Sequence, residues 1–194
     1  MTEPDNIQYM ETKNKLSFDY YILLFFMVSV FGWLWEVTIY LVREHKFVNR
    51  GITIGPWLPI YGAGAVFLYL VLKRWEKKPL PVFIISLTLC SVLEYFSGYF
   101  LEKMWGVKWW DYSDMFLNLH GRICFMSCLM FGLGGIFLVF FIIPIYTVLY
   151  NKMSNKASKK VRLALAMILL LLFVADAAYS ADFPNVGRGI TYQI

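Results

Sequence analysis

The sequence predicts an all-α polytopic membrane protein with about five transmembrane helices, and two observations lead there. Hydrophobic residues make up 59% of the 194-residue chain and charged residues 16%, against roughly 25% charged in soluble domains. The apolar residues also form long runs separated by short polar stretches, as membrane spans require. The lipid bilayer is therefore the expected partner. The net charge of +5 does not call for nucleic acid, because Lys and Arg at the ends of spans set orientation.

One transmembrane domain is predicted at 18–181, between two short tails. Residues 1–17 are polar and contain Pro4, which predicts a loose tail. Residues 182–194 are rich in Gly and contain Pro184, which predicts a turn-rich coil. The predicted helices cover residues 18–42, 59–72, 81–101, 121–150 and 161–180.

Two of these helices carry polar or small residues at helical spacing, which places them on one side of each helix. On the first helix the set is Ser29, Gly32, Glu36, Tyr40 and Arg43. On the third helix it is Cys90, Ser91, Glu94, Gly98 and Glu102.

The second span is predicted to be partly irregular. No charged residue lies between Arg50 and Lys73, but Pro56, Pro59 and several Gly interrupt the first half of this stretch. Helix becomes plausible only over 59–72, about 21 Å long at 1.5 Å per residue, whereas the bilayer core is about 30 Å thick. Residues 51–58 would then enter the apolar zone as irregular chain, which is tolerated only inside protein or beside a wet cavity. The stretch is therefore a candidate site.

The fourth helix is predicted to be the most apolar, with no charge between Arg122 and Lys152. Pro144 is expected to kink it. Small residues at helical spacing favour close packing against another helix; they are Cys124, Cys128, Gly132 and Gly135.

Basic residues predict the orientation. With five spans, the N-terminal tail and the loops at 73–80 and 151–162 lie on one side and hold eleven of the eighteen Lys and Arg residues. The positive-inside rule places that side in the cytoplasm. We therefore expect a multi-pass protein of the cell membrane with a cytoplasmic N-terminus and an extracytoplasmic C-terminus.

Ionisable residues in apolar spans are the candidate site residues, because each is costly in hydrocarbon. Glu36 and Glu94 are predicted to share a pocket with Arg50 and Arg122, whose guanidinium groups can hold a carboxylate or phosphate. Pro56–Trp57 and the Trp109–Tyr112 cluster would roof it, the cluster forming a stacking wall beside the acid Asp111. The favoured alternative for this cluster is an aromatic belt at the membrane boundary. The alternative is a salt-bridge network that only pins helices together, and for Glu102 and Asp176, at helix ends, that alternative is favoured.

Several chemistries have no support in the sequence. The patterns GxxxxGK[ST], HExxH and GxSxG are absent, and the three Cys have no zinc spacing. We predict no catalytic residue, no metal and no cofactor.

Four motifs carry a resemblance to a known family. They are FVNRGITIGPWLPIYG, EYFSGYFLEKMWGVKWWDYS, NLHGRIC and PNVGRGITY, and in this order they resemble the membrane family called putative ABC-transporter permease, type IV (CmpB-like). The similarity covers roughly residues 25–137 and the tail. The resemblance implies a permease subunit that works with a separate ATPase subunit.

Three functions remain open on the sequence. The first is a permease subunit for an unknown small or lipid-like substrate, which would need an ATPase partner or a homo-oligomer because five spans are few for a pathway. The second is a membrane-embedded enzyme acting on a lipid or lipid-linked substrate at the outer leaflet, where acidic and basic groups suit acid–base chemistry. The third is a non-catalytic structural or regulatory membrane protein.

Overall fold

The computed structural model describes residues 17–106, 108, 110–183 and 185, and within them the regular structure is helical. The predicted N-terminal tail, Trp109 and most of the C-terminal tail lie outside the described residues. The helices are α1 (Phe18–Glu44), α2 (Pro59–Leu72), α3 (Pro79–Trp105), α4 (Phe125–Phe137), α5 (Ile143–Lys156) and α6 (Lys159–Asp182). A 3-10 turn at Lys73–Trp75 follows α2, and a π-helical turn at Leu138–Ile142 joins α4 to α5.

The predicted fold class is confirmed. Four helical stretches in the described chain are long and apolar enough to cross a membrane: Phe18–Glu44, Pro79–Met104, Phe125–Lys156 and Lys159–Asp182. The remaining predicted span, the second along the chain, is not a continuous helix. Its first part, Gly51–Leu58, contains bends and no helix, and its second part, α2, has only 14 residues. The chain is a multi-pass membrane protein.

Local sequence explains where the helices end. α3 is longer than predicted because Pro79 is tolerated in the first turn and because no Pro or Gly lies between the predicted end at Leu101 and Gly106, which ends the helix with a φ of +71°. α4 begins later than predicted, at Phe125, because Gly121 has a φ of +69°. Cys124 then caps the helix reciprocally with Ser127.

The predicted kink near Pro144 takes the form of the π-helical turn. Proline has no N–H, and its ring collides with the carbonyl four residues earlier in a regular helix. The Ile143 N–H donates to the Leu138 carbonyl oxygen, which widens the helix by one residue immediately before Pro144.

The chain divides into two compact units. Unit 1 comprises Met1–Val66 and Leu149–Ile194, and unit 2 comprises Phe67–Val148.

In unit 1 the start of α2 packs closely on α1, where a side chain at Gly62 would meet Phe25 and Ser29. A side chain at Gly32 would meet the ring of Tyr61. The small residues of the predicted α1 stripe therefore admit the α2 backbone.

A buried ion pair holds the first turn of α1 in unit 1. Asp19, fully buried, accepts from Arg162 Nε at 3.0 Å and from the Tyr150 hydroxyl at 2.7 Å. Arg162 also donates to the Ala157 carbonyl oxygen at 2.9 Å. These contacts tie α1 to the end of α5 and the start of α6.

In unit 2, α3 and α4 pack against each other through small residues. A side chain at Gly132 would collide with the ring of Phe83, and one at Gly135 with Ser86. The prediction that this side of α4 makes a close helix contact is confirmed at both glycines. Leu72, Val82 and Val139 form a buried core cluster in this unit.

Candidate functional site

The irregular segment Gly51–Leu58 is anchored by one carboxylate of unit 1. Asp176, on α6, accepts the backbone N–H of Ile54 at 3.0 Å, that of Gly55 at 2.9 Å and the indole N–H of Trp57 at 2.7 Å. A Cβ at Gly55 would collide with the Trp57 ring, so only glycine lets the backbone approach the carboxylate this way. Asp176 thus supplies acceptors for donors of the segment that no helical hydrogen bond satisfies.

Asn185 holds the other end of the segment. Its side-chain amide donates to the carbonyl oxygens of Asn49 and Gly51, each at 3.0 Å, and its backbone N–H donates to Ile52 at 2.9 Å. The motif in which Asn185 lies therefore completes the hydrogen bonding of residues far earlier in the chain.

Glu36 and Arg50 form an ion pair at the entrance to the segment. Arg50 Nε donates to Glu36 Oε2 at 2.8 Å, and the Tyr61 hydroxyl donates to Glu36 Oε1 at 2.9 Å. The two charged side chains are 24% and 19% exposed, so the pair is reachable but largely shielded. The arrangement joins α1, the irregular segment and α2 through one carboxylate.

Aromatic groups surround this ion pair. The Arg50 guanidinium lies 4.3 Å from the centre of the Tyr40 ring, a distance at which cation–π attraction operates. The indole N–H of Trp33 donates to the Asn49 side-chain oxygen at 2.7 Å. We use the name Glu36 cluster for Glu36, Arg50, Tyr40 and Tyr61.

Trp57, predicted to roof a pocket, is held by contacts to two helices, and its role as a roof stays a prediction. Its indole N–H is committed to Asp176, and its ring makes edge contacts with Phe26 and Phe173. The side chain therefore fixes the irregular segment against α1 and α6.

In unit 2, Glu94 is hydrogen-bonded to a tyrosine. The Tyr112 hydroxyl donates to Glu94 Oε1 at 3.2 Å. Burial, followed by the nearby Glu94 carboxylate, raises the pKa of Tyr112 to about 12. The phenol therefore keeps its proton throughout the physiological range and acts as a donor.

Arg122 pairs with Glu102 in unit 2. Its Nη2 donates to Glu102 Oε2 at 2.5 Å, and the guanidinium carbon lies 5.7 Å and 5.5 Å from the ring centres of Tyr95 and Tyr99. The Trp110 indole N–H donates to the Arg122 carbonyl oxygen at 3.0 Å. The cation is thus held by a carboxylate at the end of α3 and by aromatic faces of the same helix.

Asp111 is an exposed acid in the connector between α3 and α4. Its Oδ1 accepts from the hydroxyl of Ser113 at 2.5 Å and from the backbone N–H of Ser113 at 2.9 Å, and Lys108 lies 3.5 Å from Oδ2. The Ser113 hydrogen bonds, with a smaller effect of Lys108, lower the pKa of Asp111. This carboxylate stabilises its own turn.

The predicted site residues therefore fall into groups by unit. Glu36, Arg50 and Trp57 lie in unit 1, and Glu94, Arg122 and Asp111 lie in unit 2. A common pocket for the six stays a prediction. No group of three or more His, Cys, Asp or Glu in the described part of the chain could hold a metal ion.

Sequence reasoning missed several residues that organise these clusters. Asp176 was visible as an acid in an apolar run, but its backbone partners were not. Tyr61, Asn49 and Asn185 carry no local signal, since tyrosine and asparagine are common near the membrane boundary.

The chain matches the family described as "Putative ABC-transporter type IV" over residues 23–181, as the resemblance of its motifs implied. No match was found among curated proteins or among solved structures.

Proposed function

The chain belongs to the family described as "Putative ABC-transporter type IV", and on that premise we propose that it is a permease-type subunit that transports a small or lipid-like substrate. The substrate contacts are assigned to the Glu36 cluster and the adjoining irregular segment. Arginine beside aromatic rings suits a substrate with a carboxylate or phosphate.

The observation that carries the proposal is irregular backbone beside charged side chains in an apolar stretch. Gly51–Leu58 leads into a helix of 14 residues, about 21 Å long against an apolar layer of about 30 Å. Broken helices that place backbone groups at a substrate site are a recurrent feature of transporters. Asp176 keeps the segment in one conformation, which a binding site needs.

A subunit of this kind needs partners. The family description implies ATP-driven transport, and the sequence has no P-loop pattern of its own. A separate ATPase subunit would therefore supply the energy. A second copy of the chain could complete the transport pathway, because the spans of one copy are too few to form it. The Lys-rich stretches 73–80 and 151–162, predicted as loops and largely helical in the structure, would face the cytoplasm, and the C-terminus the outside.

One observation favours a second function, an enzyme that acts on a lipid or lipid-linked substrate. Glu94 is a carboxyl group, able to exchange a proton, that is hydrogen-bonded to the donor hydroxyl of Tyr112. Such a pair suits general acid–base chemistry near the headgroups.

The test compares cells that carry the wild-type chain, Glu36→Gln, Glu44→Gln or no copy. Glu36→Gln removes the charge that pairs with Arg50, while Glu44→Gln makes the same change at an exposed position of the same helix. Untargeted mass spectrometry then measures each small molecule and lipid in the cells and in the medium, and labelling from outside measures lipids in the outer leaflet.

Transport predicts that one compound changes its distribution across the membrane in Glu36→Gln and in the deletion, without a change in total amount. The Glu44→Gln cells should resemble the wild type. An enzyme would instead be supported if the total amount of one compound rises while that of another, related to it by a chemical conversion, falls. A loss of protein abundance in step with the phenotype would mean that the ion pair is only structural.

A further inference from the structure

Glu94 has one carboxylate oxygen that the surrounding protein leaves unsatisfied. It lies on α3, in the stretch Pro79–Met104 that is apolar enough to cross a membrane. Oε1 accepts from the Tyr112 hydroxyl at 3.2 Å, whereas Oε2 is buried and has no hydrogen-bond partner among the described residues. A buried acceptor without a donor is rare in proteins and needs a physical explanation.

No cation in the described chain neutralises this carboxylate. The ion pairs found there are Glu36–Arg50, Asp111–Lys108, Glu102–Arg122 and Asp19–Arg162. Arg122, which the sequence suggested for Glu94, is thus committed to Glu102, eight residues further along α3. Glu94 is half-buried, but an ionised carboxylate would place charge on the buried oxygen Oε2 without a counterion, which is unfavourable.

The titratable groups found near Glu94 in the described part of the chain carry no positive charge. Cys90 lies on its own helix and Tyr112 in the connector, and Cys124, before α4, lies near Tyr112. Ser127, on α4, lies next to the carboxyl group. Its hydroxyl carries one hydrogen, which donates to the Cys124 carbonyl oxygen at 3.0 Å and which can turn to Glu94 instead. While it donates to Cys124, the Ser127 oxygen is an acceptor for a protonated Glu94.

We propose that Glu94 is a proton-binding site within unit 2, with the proton on Oε2 near neutral pH and the Tyr112 hydroxyl bonded to Oε1. In this state the carboxyl group is neutral, and Oε2 becomes a donor that can point towards the Ser127 oxygen. The site goes beyond the proposed substrate contacts, which lie in unit 1, and it can be tested without a known substrate.

The experiment uses dicyclohexylcarbodiimide, a hydrophobic reagent that adds to protonated carboxyl groups in apolar surroundings. The full chain in lipid nanodiscs is treated near neutral pH, and mass spectrometry locates the adduct. We expect labelling of Glu94 to exceed that of Glu36 and Glu102 by roughly tenfold, because each of those two carboxylates forms an ion pair with an arginine, whereas Glu94 forms none with a described residue. Glu94→Gln should remove the main adduct.

A second variant tests the Tyr112 hydrogen bond. A donor stabilises an ionised carboxylate more than a neutral one, so Tyr112→Phe should let labelling of Glu94 persist to higher pH than in the wild type. The proposal is wrong if wild-type Glu94 reacts no faster than Glu36 and Glu102. It is also wrong if Na⁺ or K⁺ blocks labelling at constant pH, since the ligand would then be a metal cation.

Discussion

The Asp176 carboxylate accepts the backbone N–H of Gly55 at 2.9 Å, although the two residues are 121 positions apart in the chain. With Ile54 and Trp57 also donating to it, the carboxylate supplies the acceptors that the irregular segment lacks. One side chain of α6 therefore satisfies three donors of this non-helical stretch, while Asn185 binds carbonyl oxygens at its start.

Asp176→Asn should loosen the irregular segment. The asparagine amide has the same shape as the carboxylate, but its NH₂ group is a donor where a carboxylate oxygen was an acceptor. Hydrogen bonds to a charged group contribute about 1.5–3 kcal/mol each to stability. We expect unfolding to become easier by about 2 kcal/mol and the amides of 51–58 to exchange hydrogen faster in nanodiscs. Asp182→Asn, at an exposed position of the same helix, is the control. Unchanged exchange in Asp176→Asn would contradict the anchoring role.

Gly132→Leu should destabilise the contact between α3 and α4. A Cβ at Gly132 already collides with the Phe83 ring, whereas one at Gly134 meets nothing within 4 Å. Overpacking costs about 1–3 kcal/mol, so the thermal midpoint in detergent should fall for Gly132→Leu and stay nearly constant for Gly134→Leu. Equal midpoints for the two variants would place the close contact elsewhere.

The Asp19–Arg162 pair should show strong coupling. Removing one partner leaves the other buried and unpaired, which costs about 3 kcal/mol or more. Asp19→Asn and Arg162→Gln should therefore each reduce stability markedly, and the double variant should lose less than the sum. Lys160→Gln, exposed on the same helix, provides the control. Strict additivity in the double-mutant cycle would show that the two side chains do not interact.

Orientation can be tested with single cysteines in a chain whose Cys90, Cys124 and Cys128 have been replaced. We expect Asp114→Cys to react with a membrane-impermeant maleimide on intact cells, because the α3–α4 connector is predicted to face outside. Asn155→Cys should react only after the membrane is opened. The reverse pattern would invert the proposed topology.

Ser113→Ala should change the titration of Asp111. The hydroxyl and the N–H of Ser113 lower the pKa of Asp111, so loss of the hydroxyl should move the pKa upwards, towards its usual value. Because the pKa of Asp111 is lower in the folded turn than in the unfolded chain, its ionised carboxylate stabilises the turn at pH values above the unfolded pKa. This stabilisation is lost as the pH falls through the pKa of the folded turn. The turn should therefore loosen at higher pH in the variant. Carbon-13 NMR of the carboxyl group measures both titrations, and identical curves would mean that the hydroxyl has no effect.

Much of this architecture follows from local sequence. Long apolar runs allow little besides membrane-spanning helix, and Pro56 and Pro59 exclude regular helix before α2 because proline lacks a donor. The break at 51–58 was therefore predictable residue by residue. The ends of the helices were harder to predict, because Pro79 and Cys124 act through capping geometry, which the spacing of apolar residues does not reveal.

Which charges pair was decided by the tertiary structure alone. The sequence showed that Glu36, Glu94, Glu102 and Asp176 each needed a partner, since isolated charge in hydrocarbon is costly, but any nearby arginine or backbone donor satisfies that requirement equally well. Packing of the helices selected Arg50 for Glu36, Arg122 for Glu102 and the backbone of 54–55 for Asp176. The composition of a span thus determines that its charges must be compensated, whereas the partner depends on distances of a few ångströms that only the folded chain sets.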